Sequence, residues 1–175
     1  ISSQNLREIE KKILDEILDP KRYDRRIRPS GNVTTYQKGD KDYSNKNPVV
    51  VEMNMFVRRI SNFDEKNQAI TMQITLRQSW TDERLKFSPN EADLINFVNL
   101  EDAASIWTPD LFISNEISGK QHTLLKPNLL IRIFPNGRVL YSTRLTLTLS
   151  CPMDFSRFPH DYQTCTIKLA SCMKM

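Results

Sequence analysis

Ile70-Thr71-Met72-Gln73-Ile74-Thr75-Leu76-Arg77-Gln78-Ser79-Trp80 alternates along its length. Ile70, Met72, Ile74, Leu76 and Trp80 take turns with Thr71, Gln73, Thr75, Arg77 and Ser79. A period of two marks a strand with one buried face and one polar face. The stretch just upstream has the same rhythm. Val49, Val51, Met53, Met55 and Val57 point one way, and Glu52, Asn54, Phe56 and Arg58 point the other. Polar, turn-rich residues 62–67 join the two runs, which therefore read as antiparallel neighbours.

The pattern resumes towards the C-terminus. Leu129, Ile131 and Ile133 lead into Pro135-Asn136-Gly137, and Asn-Gly between alternating runs is a hairpin signal. On the return strand Val139, Tyr141, Leu145, Leu147 and Leu149 face inward, while Ser142, Arg144, Thr146 and Thr148 face outward. A last strand is predicted from Cys165, with Ile167 and Leu169 inward. Residues 82–128 hold short strands at most. Before the strands, Leu6, Ile9, Ile13 and Ile17 recur at helical spacing, with Leu14 and Leu18 widening the stripe. Asn5 and Glu8 resemble a capping box, Glu8 and Lys12 form a favourable pair, and Pro20 ends the pattern. The spacing predicts a helix over 4–19, an exposed loop over 28–48 and strands over 49–171. One helix followed by alternating strands predicts an all-β sandwich with an N-terminal helix, and no internal repeat is visible.

The chain has 175 residues, 39% of them apolar, which is enough for a core. Lys and Arg total 25 against 21 Asp and Glu, and the resulting +4 is too mild and too evenly spread to imply nucleic acid. The basic cluster at 21–26 reads as a solvated surface or as one that attracts anions. No run approaches the roughly 18 apolar residues of a spanning helix, so the chain as it stands does not cross a membrane. It has neither an initiator Met nor a signal-peptide pattern, as expected of a mature chain or a fragment. An enzyme is not expected: there are two histidines and four glycines, and no nucleophile elbow, phosphate loop or His-Glu-x-x-His. No cofactor is implied.

Cys151, His160, Cys165 and Cys172 lie close in sequence, which raises the question of zinc. No paired Cys-x-x-Cys is present, and the 13 residues enclosed by Cys151 and Cys165 are not usual ligand spacing. A disulfide is the better reading, and closing such a loop contributes about 3 kcal/mol in the chain-entropy model. Asn32-Val33-Thr34 is a glycosylation sequon, which with a disulfide points to an extracellular setting.

Arg58 and Arg77 sit on the polar faces of neighbouring predicted strands. Like charges across a sheet repel unless something neutralises them. A bound carboxylate would do so, since guanidinium grips one bidentately, and Ser142 would add a hydroxyl from a third strand. The competing reading is that both arginines solvate the sheet or pair with Glu52 or nearby Asp residues. Alternation alone favours the competing reading, because register is not visible in sequence.

Cys151-Pro152-Met153-Asp154-Phe155-Ser156-Arg157-Phe158-Pro159-His160-Asp161-Tyr162-Gln163-Thr164-Cys165 resembles the signature loop of the Cys-loop ligand-gated channels, with Phe158-Pro159-His160-Asp161 as its inner motif. Tyr23 to Pro29, Trp80 to Leu85 and Trp107 to Phe112 resemble further family motifs in the expected order. Ser114-Asn115-Glu116, Lys126-Pro127-Asn128 and Ile131 to Gly137 resemble the glutamate-gated chloride channels of invertebrates. The likeness runs from about Asn5 to Ser171. It implies an immunoglobulin-like extracellular sandwich, in homo- or hetero-pentamers, at the postsynaptic face of the plasma membrane. It also implies L-glutamate bound between subunits. Arg58, Arg77 and Ser142 match the two arginines and the serine of the complementary face, and Phe112 matches an aromatic near the principal-face pocket.

The match fails after Ser171. The resemblance therefore implies a C-terminally incomplete sandwich, without the remaining principal-face loops or the membrane segments that carry the pore. Cys172 would be an unpaired thiol. A truncated, non-conducting subunit that binds full-length receptors, secreted if the chain ends here naturally, is one alternative. A related receptor gated by histamine or GABA is another.

Overall fold

The computed structural model describes residues 3–30, 49–87 and 95–171. The expectations on residues 31–48, including the Asn32 sequon, and on Cys172 lie outside the described residues. Helix α1 (Ser3–Ile17) begins one residue earlier and ends two residues sooner than its periodicity predicts. Asn5 thus lies inside the first turn and not at a cap. The carbonyl of Asp19 accepts the N–H groups of Arg22 and Tyr23, both at 2.8 Å, and turns the chain away around Pro20. The apolar stripe docks on the strands, burying Ile13 and Ile17 against Trp80, Val98 and Ile131.

Eight strands follow among the described residues: β1 (Glu52–Asp64), β2 (Ala69–Thr81), β3 (Val98–Leu100), β4 (Leu111–Ile113), β5 (Glu116–Gln121), β6 (Leu129–Ile133), β7 (Arg138–Ser150) and β8 (Leu169–Ser171). The main sheet is antiparallel in the order β1-β2-β7-β6-β3, and β4 pairs with β8 in a second, small sheet. The far edge of β7 is divided. Val139–Thr143 pairs with β6, and Leu145–Leu149 pairs with β5. The inward residues form two clusters. One gathers Trp80, Leu85, Val98, Ile131, Ile133 and Val139 under α1. The other gathers Ile70, Met72, Ile74, Leu76, Leu147 and Leu149 with Cys151. Cys151 is bonded to Cys165, with Cα atoms 5.0 Å apart.

Val57 pairs with the inward residue Ile74, as the alternation predicts, yet is 46% exposed, and the β1–β2 register slips just after it, between Val57 and Arg59. One expectation needs correction. The last strand does not begin at Cys165. Only Leu169–Ser171 pairs, and Leu169 is 39% exposed. Residues 161–168 instead hang on side chains: Asn115 Nδ2 donates to the Thr166 carbonyl at 2.8 Å, and Lys168 N–H donates to Asn115 Oδ1 at 2.9 Å.

A polar hub closes the end of the sheet nearest α1. Asp82 is fully buried and accepts Arg84 Nη2 at 2.7 Å, Arg84 Nε at 2.9 Å and the Tyr23 hydroxyl at 3.2 Å. The same hydroxyl accepts Trp107 N–H at 2.9 Å, and the Arg84 guanidinium lies 4.6 Å above the Tyr23 ring. One buried carboxylate thereby joins the N-terminal segment, the end of β2 and the Trp107 loop. Burial pushes the Tyr23 phenol up to about 12. The β6–β7 hairpin leans on the same residue. Gly137 has φ +81°, and a Cβ there would stand 2.5 Å from the Asp82 carbonyl oxygen. At Gly119 a Cβ would meet the movable ends of two side chains, Leu147 at 3.3 Å and Glu116 at 3.4 Å.

Gly137→Ala is therefore expected to destabilise the fold by at least about 2 kcal/mol, through left-handed strain plus a backbone clash. Gly119→Ala should stay within about 1 kcal/mol. Denaturant midpoints of the two variants against the parent decide this, and equal midpoints would contradict it. The Tyr23 contribution is complete below its unfolded pKa of 10.0 and is lost as pH rises towards about 12. Tyr23→Phe should lower stability by about 1 kcal/mol at neutral pH through lost hydrogen bonds. It should also flatten part of the fall in stability between those two pH values, measured by denaturant unfolding across that window.

Candidate ligand-binding site

The outer face of the main sheet is set by the pairing of its three long strands. Thr75 and Arg77 on β2 stand opposite Phe56 and Asn54 on β1. The same two residues stand opposite Arg144 and Ser142 on β7. On β6, Leu130 is the partner of Ser142. All of these side chains share one face, because pairing residues project the same way and the period is two.

Arg58 reaches that face through the break in register. Val57 pairs with Ile74 and Arg59 with Gln73, which leaves Arg58 as the extra residue of a bulge. A bulge re-aims the side chain it carries. Arg58 Nε donates to Thr75 Oγ1 at 2.6 Å, and its guanidinium sits 5.9 Å from the Phe56 ring centre. With Nε engaged, the terminal Nη1 and Nη2 pair is the fork that remains, and such a pair suits a carboxylate end-on.

A cleft of about 360 Å³ opens beside these groups, lined by Arg58, Thr75, Ser142 and Arg144, with Asn128 and Leu130 on its rim. Leu130 lies on β6, and Asn128 belongs to the loop at 122–128. Asn128 N–H donates to the His122 carbonyl at 2.8 Å, His122 Nε2 shares a 2.7 Å hydrogen bond with Thr146 Oγ1, and the Arg144 carbonyl accepts His122 N–H at 3.2 Å. The described residues that line the cleft include no carboxylate. Among the described residues, none of Arg58, Arg77 and Arg144 forms an ion pair. Glu52, the nearest candidate on β1, is engaged elsewhere: Arg138 Nη2 holds it at 3.1 Å. The pairing of Arg77 with Glu52 that the alternation left open is therefore not made. The Arg138–Glu52 pair lies in a second cleft of about 300 Å³ beside Trp80, where Arg138 already has its counter-charge.

The structure thus brings Arg58 and Ser142 to one cleft, with Arg77 directly across the strand pair from Ser142. It does not bring Phe112 there. Phe112 lies on β4 and is 42% exposed, in a separate cleft walled by Leu76, Leu145 and Leu147. Leu76 and Leu147 are inward residues of the main sheet, so Phe112 occupies the opposite side of the molecule from the arginines. Sequence reading placed Thr75 and Gln73 on the outer face without giving them a role, and had Asn128 only within a resemblance motif. It placed Arg144 outward without giving it a role, although its position two residues from Ser142 was the available signal.

The sequence matches the family model of the neurotransmitter-gated ion-channel ligand binding domain over residues 10–174. A glutamate-gated chloride channel of Drosophila melanogaster is 46% identical over 167 residues, covering 95% of this chain. The chain spans about a third of that relative's length, 34%. No helix among the described residues is long and apolar enough to cross a membrane. With nearly the whole chain matched, it belongs to the family of neurotransmitter-gated ion-channel ligand binding domains, whose members serve ligand-gated channels and not enzymes.

Proposed function

We propose that this chain is the extracellular agonist-binding part of a glutamate-gated chloride channel subunit, working within a pentamer at the postsynaptic membrane. It supplies the complementary face of a site between adjacent subunits. One observation carries the reading: Arg58, Arg77 and Ser142 share one outer face, beside a cleft whose described lining has no carboxylate of its own. A ligand with two carboxylates neutralises two such guanidiniums, and Ser142 adds a neutral donor. Histamine, which has no carboxylate, would leave both cations uncompensated. GABA, with one, would satisfy only part of the face.

The position of Phe112 supports the two-subunit arrangement. One copy carries the arginines on the outer face of its main sheet and Phe112 on the other side, so a pocket that uses both draws them from different copies. Glutamate would open the channel only to the extent that it binds the open arrangement more tightly. The disulfide loop is suited to pass that change on. Its base is fixed by Cys151, buried in the second core cluster, and closed by Gln163, which bonds both the N–H and the carbonyl of Asp154 at 3.0 and 2.8 Å. Its tip presents Phe158 and Tyr162 to the exterior, 73% and 96% exposed.

Arg77→Ala in the native subunit, expressed with the partners it assembles with, should abolish the glutamate response at unchanged surface density. Arg58→Ala should raise the half-maximal concentration about tenfold or more, as expected for a lost charge-assisted hydrogen bond. Current recorded against glutamate, GABA and histamine checks both. A normal glutamate response from both variants would remove the carboxylate role. A wild-type subunit that answers GABA or histamine and ignores glutamate would assign another agonist.

A further inference from the structure

Asn115 stands at the corner between β4, which ends at Ile113, and β5, which begins at Glu116. β4 belongs to the small sheet and β5 to the main one, so the two sheets meet at this corner. The Asn115 side chain bridges the two segments that leave the disulfide. Its Nδ2 donates to the Ser150 carbonyl at 3.2 Å, one residue before Cys151, and to the Thr166 carbonyl at 2.8 Å, one residue after Cys165. Its Oδ1 accepts Lys168 N–H at 2.9 Å. The backbone adds to the joint: Ser150 N–H donates to the Asn115 carbonyl at 2.9 Å, and Ser114 N–H donates to the Lys168 carbonyl at 2.8 Å. A primary amide offers two donors at one end and an acceptor at the other, and this one uses both ends. A carboxylate of the same shape would turn oxygen towards two carbonyls, and an apolar side chain would bond neither. The disulfide alone fixes one point and leaves the loop free to swing about it. Asn115 fixes a second point beside the first, so that the end of β7, the base of the loop and the segment entering β8 form one unit.

We propose that Asn115 is a positioning residue for signal transmission: its amide locks the Cys151–Cys165 loop to the end of β7, so that movement of the strand carries the loop with it. The proposal rests on the reading above, in which agonist binds the outer face and the disulfide loop passes the change on. Asn115 is not among the residues lining the outer-face cleft, so it acts on the step after binding. Transmission of this kind is a coupling free energy between two places, and cutting the link between them reduces it.

The test is single-channel recording from the native subunit in its assembled receptor at saturating glutamate, with surface density measured alongside. Asn115→Ala should lower the opening equilibrium constant about tenfold, within the usual range for coupling between two sites. Asn115→Asp should lower it at least as far, because its carboxylate faces the Ser150 and Thr166 carbonyls. Asn115→Ser, which keeps one donor, should fall between Asn115→Ala and the wild type. Arg58→Ala should act on the other quantity, moving the concentration–response curve to higher glutamate. A merely structural Asn115 would lower surface density and leave opening per receptor at its wild-type value, and that result overturns the proposal. If Asn115→Ala and Asn115→Asp do not reach the surface alone, mixed pentamers with wild-type copies decide by the same recording, and wild-type opening in them overturns the proposal. A shifted curve for Arg58→Ala with wild-type opening in every Asn115 variant overturns it while leaving the site reading in place. No effect from Arg58→Ala or from any Asn115 variant overturns both.

Discussion

The register of β2 against β7 is the constraint on which the candidate site depends. It runs unbroken from Ala69 opposite Ser150 to Thr81 opposite Arg138. Within it Arg77 faces Ser142 and Thr75 faces Arg144. A slip of one residue in β2 would turn Arg77 into the core and bring Leu76 to the surface. The packing that excludes such a slip is therefore the same packing that arranges the charges. Ile74, Leu76, Leu147 and Leu149 on the inner face hold Thr75, Arg77, Ser142 and Arg144 in line on the outer one.

Both ends of this strand pair are clamped. At one end Asp82 N–H bonds the Gly137 carbonyl at 2.9 Å, and the missing Cβ of Gly137 lets the hairpin close on Asp82. The Asp82 carboxylate in turn gathers Arg84 and Tyr23, which ties the clamp to the segment leaving α1. At the other end Cys151 N–H bonds the Gln68 carbonyl at 2.8 Å, and the disulfide begins at that residue. The signature loop thus extends from the end of the strand that carries Ser142 and Arg144. A ligand that pulls on those side chains acts on a strand whose far end is the base of the loop. The loop and these outer-face side chains therefore share one strand.

Much of this was legible in the sequence. The alternation from Ile70 to Trp80 and from Val139 to Leu149 placed each of those side chains on its observed face, because a half-buried strand must repeat every two residues. Pro135-Asn136-Gly137 marked its hairpin, since the turn needs the positive φ found at Gly137. The pieces that escaped depend on partners and not on local pattern. The bulge at Arg58 exists only because β1 pairs with β2. The segment from Cys165 alternates as a strand would, yet Asn115 takes its hydrogen bonds and only three residues pair. Arg144 was placed outward correctly.

The central claim is that the outer face of β1, β2 and β7 receives a ligand carboxylate. Determining the structure of the native assembled receptor with glutamate bound tests it most directly. The account predicts the ligand in the cleft between Leu130 and Arg58, with carboxylate oxygens at hydrogen-bond distance from the Arg58 and Arg77 guanidiniums and the Ser142 hydroxyl, about 3 Å. Glutamate seated elsewhere, with Arg58 and Arg77 turned to solvent or paired to protein carboxylates, would contradict it.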